Sequence, residues 1–99
     1  TNTKNNVGFG LHWPKEIFPY IWFWQDYHGE FGYPLYGRTY VVALEPFTSY
    51  PRFGLEEVIK RGTQMKLSAG KSVEVELKAV AYEGIKRVKR ITENGEISA

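Results

Sequence analysis

TYVVALEPFTSY, residues 39–50, decides how this chain is read. Tyr40, Val41, Val42 and Leu44 are strand-forming types. Pro46 has no N–H to give to a ladder and holds the residue before it in extended geometry. The stretch therefore predicts a β-strand over Arg38–Leu44 that Glu45-Pro46 brings to an end. A carboxylate between an apolar strand and a turn is costly unless it is solvated, paired or used in chemistry, so Glu45 is the first candidate for a site.

Upstream of this strand, His28–Gly37 (HGEFGYPLYG) carries three glycines and a proline and reads as a loop with fixed bends. Tyr20–Tyr27 before it is a strand dense in Trp, Phe and Ile. Period two places Tyr20, Trp22, Trp24 and Asp26 on one face and Ile21, Phe23 and Gln25 on the other, and both faces are expected to be at least partly buried. Val7–Trp13 is a further strand, followed by a connection that Pro14 and Pro19 bracket.

Downstream, Phe47–Phe53 is a proline-bent loop and Gly54–Gly62 is the one good helical segment. Leu55, Val58 and Ile59 fall at i, i+3 and i+4, and Gly62 sits where a helix would terminate. Met65–Leu67 predicts a short strand, Ser68–Lys71 a turn, and Ser72–Tyr82 a long strand. In that last strand Val73, Val75, Leu77, Ala79 and Ala81 alternate with Glu74, Glu76 and Lys78, which predicts one buried and one wet face. Ile85–Ile91 gives another strand and Asn94-Gly95 a turn. The expected fold is all-β, an antiparallel β-sandwich with one short helix near 54–62. A closed barrel is the next choice. Residues 1–99 form one domain with frayed ends at 1–6 and 94–99.

Composition narrows the function classes. With no cysteine there are no disulfides, thiolate zinc sites or cysteine nucleophiles. The first ten residues, TNTKNNVGFG, lack the apolar core of a signal peptide, and no stretch approaches a membrane span, so a cytoplasmic protein without a membrane partner is expected. The net charge of +2 is too mild for a nucleic-acid protein. Lys86, Arg87, Lys89 and Arg90 supply basic charge near the C-terminus, whereas every aromatic residue except Tyr82 precedes Gly54. Because basic and aromatic residues are not interleaved, the KRVKR run reads as a solvated strand edge.

The segments LHWP, FPYIWFWQDY, YGRTYVVALEPFTSYP, GLEEVIKRG and MKLSAGKSVEVELKAVAYEG, in that order from about Gly8 to Gly84, resemble the C-terminal portion of galactose-mutarotase-like proteins, the aldose 1-epimerase superfamily. The strand ending in LEP looks like the one that presents the family's catalytic glutamate, which would be Glu45. LSAGKSVEVEL looks like the family's closing turn and long strand. The resemblance implies a β-supersandwich, aldose ligands and chemistry that needs no metal. Family enzymes are considerably longer, and their catalytic histidines come from a part that precedes these segments. The resemblance thus implies sugar recognition, with the chain alone an incomplete catalyst.

Mutarotation needs a base at the anomeric hydroxyl and an acid at the ring oxygen, and Glu45 is the candidate base. His12 is a weaker candidate acid. Trp22, Trp24 and Trp13 are candidate stacking rings, with Asp26 beside them for hydroxyls and Arg38 able to fork onto hydroxyls or a phosphate. A structural salt bridge of Glu45 with Arg38 or Arg52, and core packing of the tryptophans, are the competing readings. His28 between Asp26 and Glu30 is too sparse a donor set for a metal site. Phosphate-binding glycine loops and a hydrolase elbow are missing, so no cofactor is expected. The partners expected are a small sugar and either a second copy of the chain or a missing N-terminal segment. A non-enzymatic module that self-associates through its aromatic half, and an active epimerase with Glu45 as base, are the alternatives.

Overall fold

The computed structural model describes residues 1–50 and 53–99. Pro51 and Arg52, and with them the anticipated Arg52–Glu45 pair, lie outside the described residues. The chain is mostly β, built of small antiparallel two-stranded sheets and one short helix. It divides into two compact units, one of residues 1–17 with 67–99, the other of residues 18–66. Among the described residues no helix is long and apolar enough to cross a membrane.

In the first unit β1 (Gly8–His12) pairs antiparallel with β4 (Lys78–Tyr82), Gly8 opposite Tyr82 and His12 opposite Lys78. Two glycines of β1 lie directly beneath side chains. The Tyr82 ring lies where a Gly8 Cβ would stand, and the Ile91 side chain occupies the same place above Gly10. The long strand expected over Ser72–Tyr82 ladders only from Lys78 onward. Its partner β1 ends at His12, shortly before Pro14, which has no N–H to extend a ladder. β5 (Arg90–Ile91) and β6 (Ile97–Ser98) form a two-residue hairpin closed by the Thr92–Glu96 turn, where the Gly95 N–H donates to the Thr92 carbonyl at 2.9 Å. The strand expected over Ile85–Ile91 is thus confined to its last two residues.

The expected burial of the Val73–Ala81 face does not hold. Val73, Val75 and Leu77 are 45, 41 and 43% exposed, and Ala79 and Ala81 are exposed too, while Val80 and Tyr82 on the other side are partly covered. Alternation told which face is apolar but not which face is covered. Tyr82 and Ile91 settle over the glycines of β1, on the opposite side.

In the second unit β2 (Tyr20–Tyr27) and β3 (Tyr40–Phe47) pair over their full eight residues. β3 does not stop at Glu45. It runs through Pro46, which stands opposite Ile21, because a two-stranded sheet leaves β3 an unpaired edge toward which a missing N–H can face. The connecting loop has the fixed bends expected of it. Gly37 N–H donates to the Glu30 carbonyl at 2.7 Å, Tyr36 N–H to Gly32 at 3.0 Å, and Tyr33-Pro34 is cis.

Helix α1 (Leu55–Lys60) follows. Thr63 N–H reaches back to the Val58 carbonyl and Gly62 N–H to Ile59, both at 3.0 Å, with Gly62 at φ +69°. This pair of bonds around a left-handed glycine ends the helix where the sequence predicted. Val58, 5% exposed, is the one deeply buried apolar side chain among the described residues. Met65–Leu67 forms no strand.

Candidate functional site

The β2–β3 register decides which candidate residues meet. Directly opposed residues of an antiparallel pair share a face, so Trp22 opposite Glu45, Trp24 opposite Ala43 and Asp26 opposite Val41 all project to one side. Glu45 is therefore the cross-strand neighbour of Trp22 and the diagonal neighbour of Trp24. Ala43, the smallest residue on this face, stands opposite Trp24. Four of the seven candidate residues thus lie on a single hairpin face.

Their environments differ. Trp22 is partly buried, its ring stacked on Phe47 with centroids 4.1 Å apart and planes 2° from parallel. Trp24 is 41% exposed, enough to offer a ring face to a ligand. Glu45 is partly exposed and, among the described residues, has no hydrogen-bond or ion-pair partner. Asp26, by contrast, is 5% exposed, and its Oδ1 accepts the Gly29 N–H at 2.9 Å. It stands about 14 Å from Glu45 along the hairpin at ordinary strand rise, farther than one aldose ring spans.

Arg38 is exposed in the loop, its guanidinium carbon 6.0 Å from the centroid of the Tyr36 ring, a distance at which cation and ring attract. It does not pair with Glu45. His28 has φ +64°, its Nδ1 lies 2.9 Å from the Gly37 carbonyl oxygen, and its ring packs on Tyr40 at 5.1 Å. It clasps the loop ends.

His12 and Trp13 belong to the first unit. They line an open depression of about 490 Å³ together with Lys15, Glu16 and Glu93. His12 also borders a smaller one of about 290 Å³ with Glu74, Glu76 and Glu93. Sequence reasoning did not anticipate this acidic surround, because Glu74, Glu76 and Glu93 lie some sixty or more residues downstream and come close only through the packing of β4 and β5 on β1. Glu76 ion-pairs with Lys78, whose hydrogen bond and charge hold the Glu76 carboxyl below the usual glutamate range.

Comparison with protein-family models, with curated proteins and with solved structures gives no match.

Proposed function

We propose that the chain recognises an aldose sugar on the Trp22–Trp24–Glu45 face of its β2–β3 hairpin. One observation carries this reading: a carboxylate with no partner among the described residues shares a face with two tryptophan rings, one of them 41% exposed. Sugars offer C–H faces that pack on flat aromatic rings, and hydroxyls that donate to carboxylate oxygens. Glu45 would accept from hydroxyls while Trp24 takes the apolar face of the ring. In a mutarotase-like protein the same carboxylate would serve as base toward the anomeric hydroxyl. His28, the histidine of the second unit, is not poised as the matching acid, since its Nδ1 lies beside the Gly37 carbonyl and its ring packs on Tyr40. Recognition, without turnover by this chain alone, is the function proposed, with the hairpin as part of a β-sandwich.

Calorimetric titration of the chain with D-galactose, D-glucose and L-galactose tests it. Stereoselective binding that Trp24→Ala and Glu45→Gln abolish supports the reading, and wild-type binding by both variants would remove the site.

A second reading has its own support. The other hairpin face carries Ile21, Phe23, Tyr27, Tyr40 and Val42 at 47–71% exposure, without a charged residue. An uncharged apolar face of this kind favours association, and a second copy of the chain is the occupant proposed. Light scattering across the micromolar range distinguishes dimer from monomer, and a monomer throughout would rule the reading out.

A further inference from the structure

Ser72–Leu77 (SVEVEL) alternates apolar and polar residues at the strand period, yet among the described residues no part of it belongs to a ladder. Pairing begins only at Lys78, where β4 meets β1. A strand has two edges, and β1 takes one edge of β4. The other has no strand beside it among the described residues. Lys71–Leu77, Ala79 and Ala81 are all exposed, with Val73, Val75 and Leu77 at 41–45%. An apolar row thus runs along an open backbone edge, a template for one more strand.

The order of charges selects that strand. Laid antiparallel on a second copy of itself with Leu77 at the twofold axis, the segment sets Glu76 opposite Lys78 and Lys71 opposite Glu83, each at both ends of the pairing. Val75 falls opposite Ala79 and Val73 opposite Ala81, so the apolar rows meet on one face. Neighbouring registers lose the match. Centring on Val75 sets Glu74 against Glu76, centring on Glu76 or Lys78 sets that charge against its own copy, and centring on Ala79 brings no opposite charges together. Glu76 and Lys78 already pair within one chain, so the Leu77-centred register joins four charges of alternating sign at its middle.

We propose that two copies of the chain join edge to edge through Ser72–Tyr82, antiparallel with Leu77 at the twofold axis. The result is a four-stranded sheet in the order β1, β4, then β4 and β1 of the second copy. It extends β4 to the length that its alternation predicts. The contact is isologous, so it closes at two copies. It lies in the first unit and rests neither on sugar recognition at Glu45 nor on association through the apolar hairpin face.

The chain has no cysteine, so a single introduced cysteine cross-links only to its own copy. Leu77→Cys sets two thiols across the axis at the spacing of directly opposed strand residues, about 4.5–5.5 Å between Cα atoms, which a disulfide spans. Val73→Cys lies four residues from the axis on each copy, which holds its thiols roughly 27 Å apart at ordinary strand rise. Under mild oxidation Leu77→Cys is expected to form the disulfide dimer at least tenfold faster than Val73→Cys or Phe23→Cys. Adding Phe23→Lys, which bears on the hairpin face alone, should leave that rate unchanged. Sedimentation equilibrium in the Phe23→Lys chain supplies a second readout. There Glu76→Lys should raise the dimer dissociation constant at least tenfold, and the swap of Glu76→Lys with Lys78→Glu should restore it. Similar cross-linking at all three positions, fastest cross-linking at Phe23→Cys, a monomer throughout the micromolar range, or association indifferent to Glu76→Lys would overturn the proposal.

Discussion

Glu45 stands directly across the β2–β3 ladder from Trp22, whose ring in turn lies flat on Phe47. A carboxylate is thereby held beside an aromatic stack inside the paired length of β2 and β3, two residues short of its end. The stack fixes Trp22. Trp24, one step along the same face, keeps its ring accessible.

If that face is the sugar site, Glu45→Gln removes an ionised acceptor and Trp24→Ala removes the packing surface. Each is expected to weaken aldose binding at least tenfold, about 1.4 kcal/mol. Glu45→Gln should not lower the denaturation midpoint much, since Glu45 has no partner among the described residues to lose. Calorimetry and urea denaturation on the same samples check both halves.

Gly62→Ala should destabilise the chain by about 1 kcal/mol, because it forces a side chain into the left-handed conformation that closes α1. The loss should appear in chemical denaturation. Gly8→Ala should cost more, about 1–3 kcal/mol, since the Tyr82 ring occupies the space that the new methyl needs. Amide exchange should rise in β1 and β4 and leave β2 and β3 unchanged.

The Glu76–Lys78 pair gives a pH dependence of known sign. Lys78 holds the Glu76 carboxyl below its usual range in the folded chain. The contribution to stability is therefore fully present above the ordinary glutamate value and is lost as the pH falls through the lowered one. Carbon NMR titration of the Glu76 carboxyl should place its midpoint below that of an unpaired glutamate, and Lys78→Met should move it back up. An unchanged midpoint in that variant would count against the pairing.

Association has its own variant. If two copies join through the open hairpin face, Phe23→Lys, which places a charge in the middle of that face, should raise the dissociation constant at least tenfold and leave sugar binding at the proposed reverse face unchanged. Sedimentation equilibrium measures it.

Much of the local structure was legible in the sequence, and the reasons are local. Leu55, Val58 and Ile59 with Gly62 gave the helix and its end, and the glycines and proline of residues 28–37 gave a loop of fixed shape. The alternation of Tyr20, Trp22, Trp24 and Asp26 gave the face that the register confirms. What failed depended on partners. Pro46 was read as a strand breaker, but whether a proline breaks a strand depends on which edge is unpaired. Val73–Ala81 announced an apolar face, but Tyr82 and Ile91, filling the space over Gly8 and Gly10, decided which side was covered. The acids around His12 arise from tertiary placement and have no signature in spacing.

The most direct test of the central claim is proton NMR of galactose and glucose mixed with the purified chain, comparing wild type with Glu45→Gln. The account expects concentration-dependent shifts and broadening of one anomer's lines with wild type, lost in the variant, and anomeric exchange no faster than in buffer. Sugar lines that are unshifted at high concentrations of folded chain would contradict it.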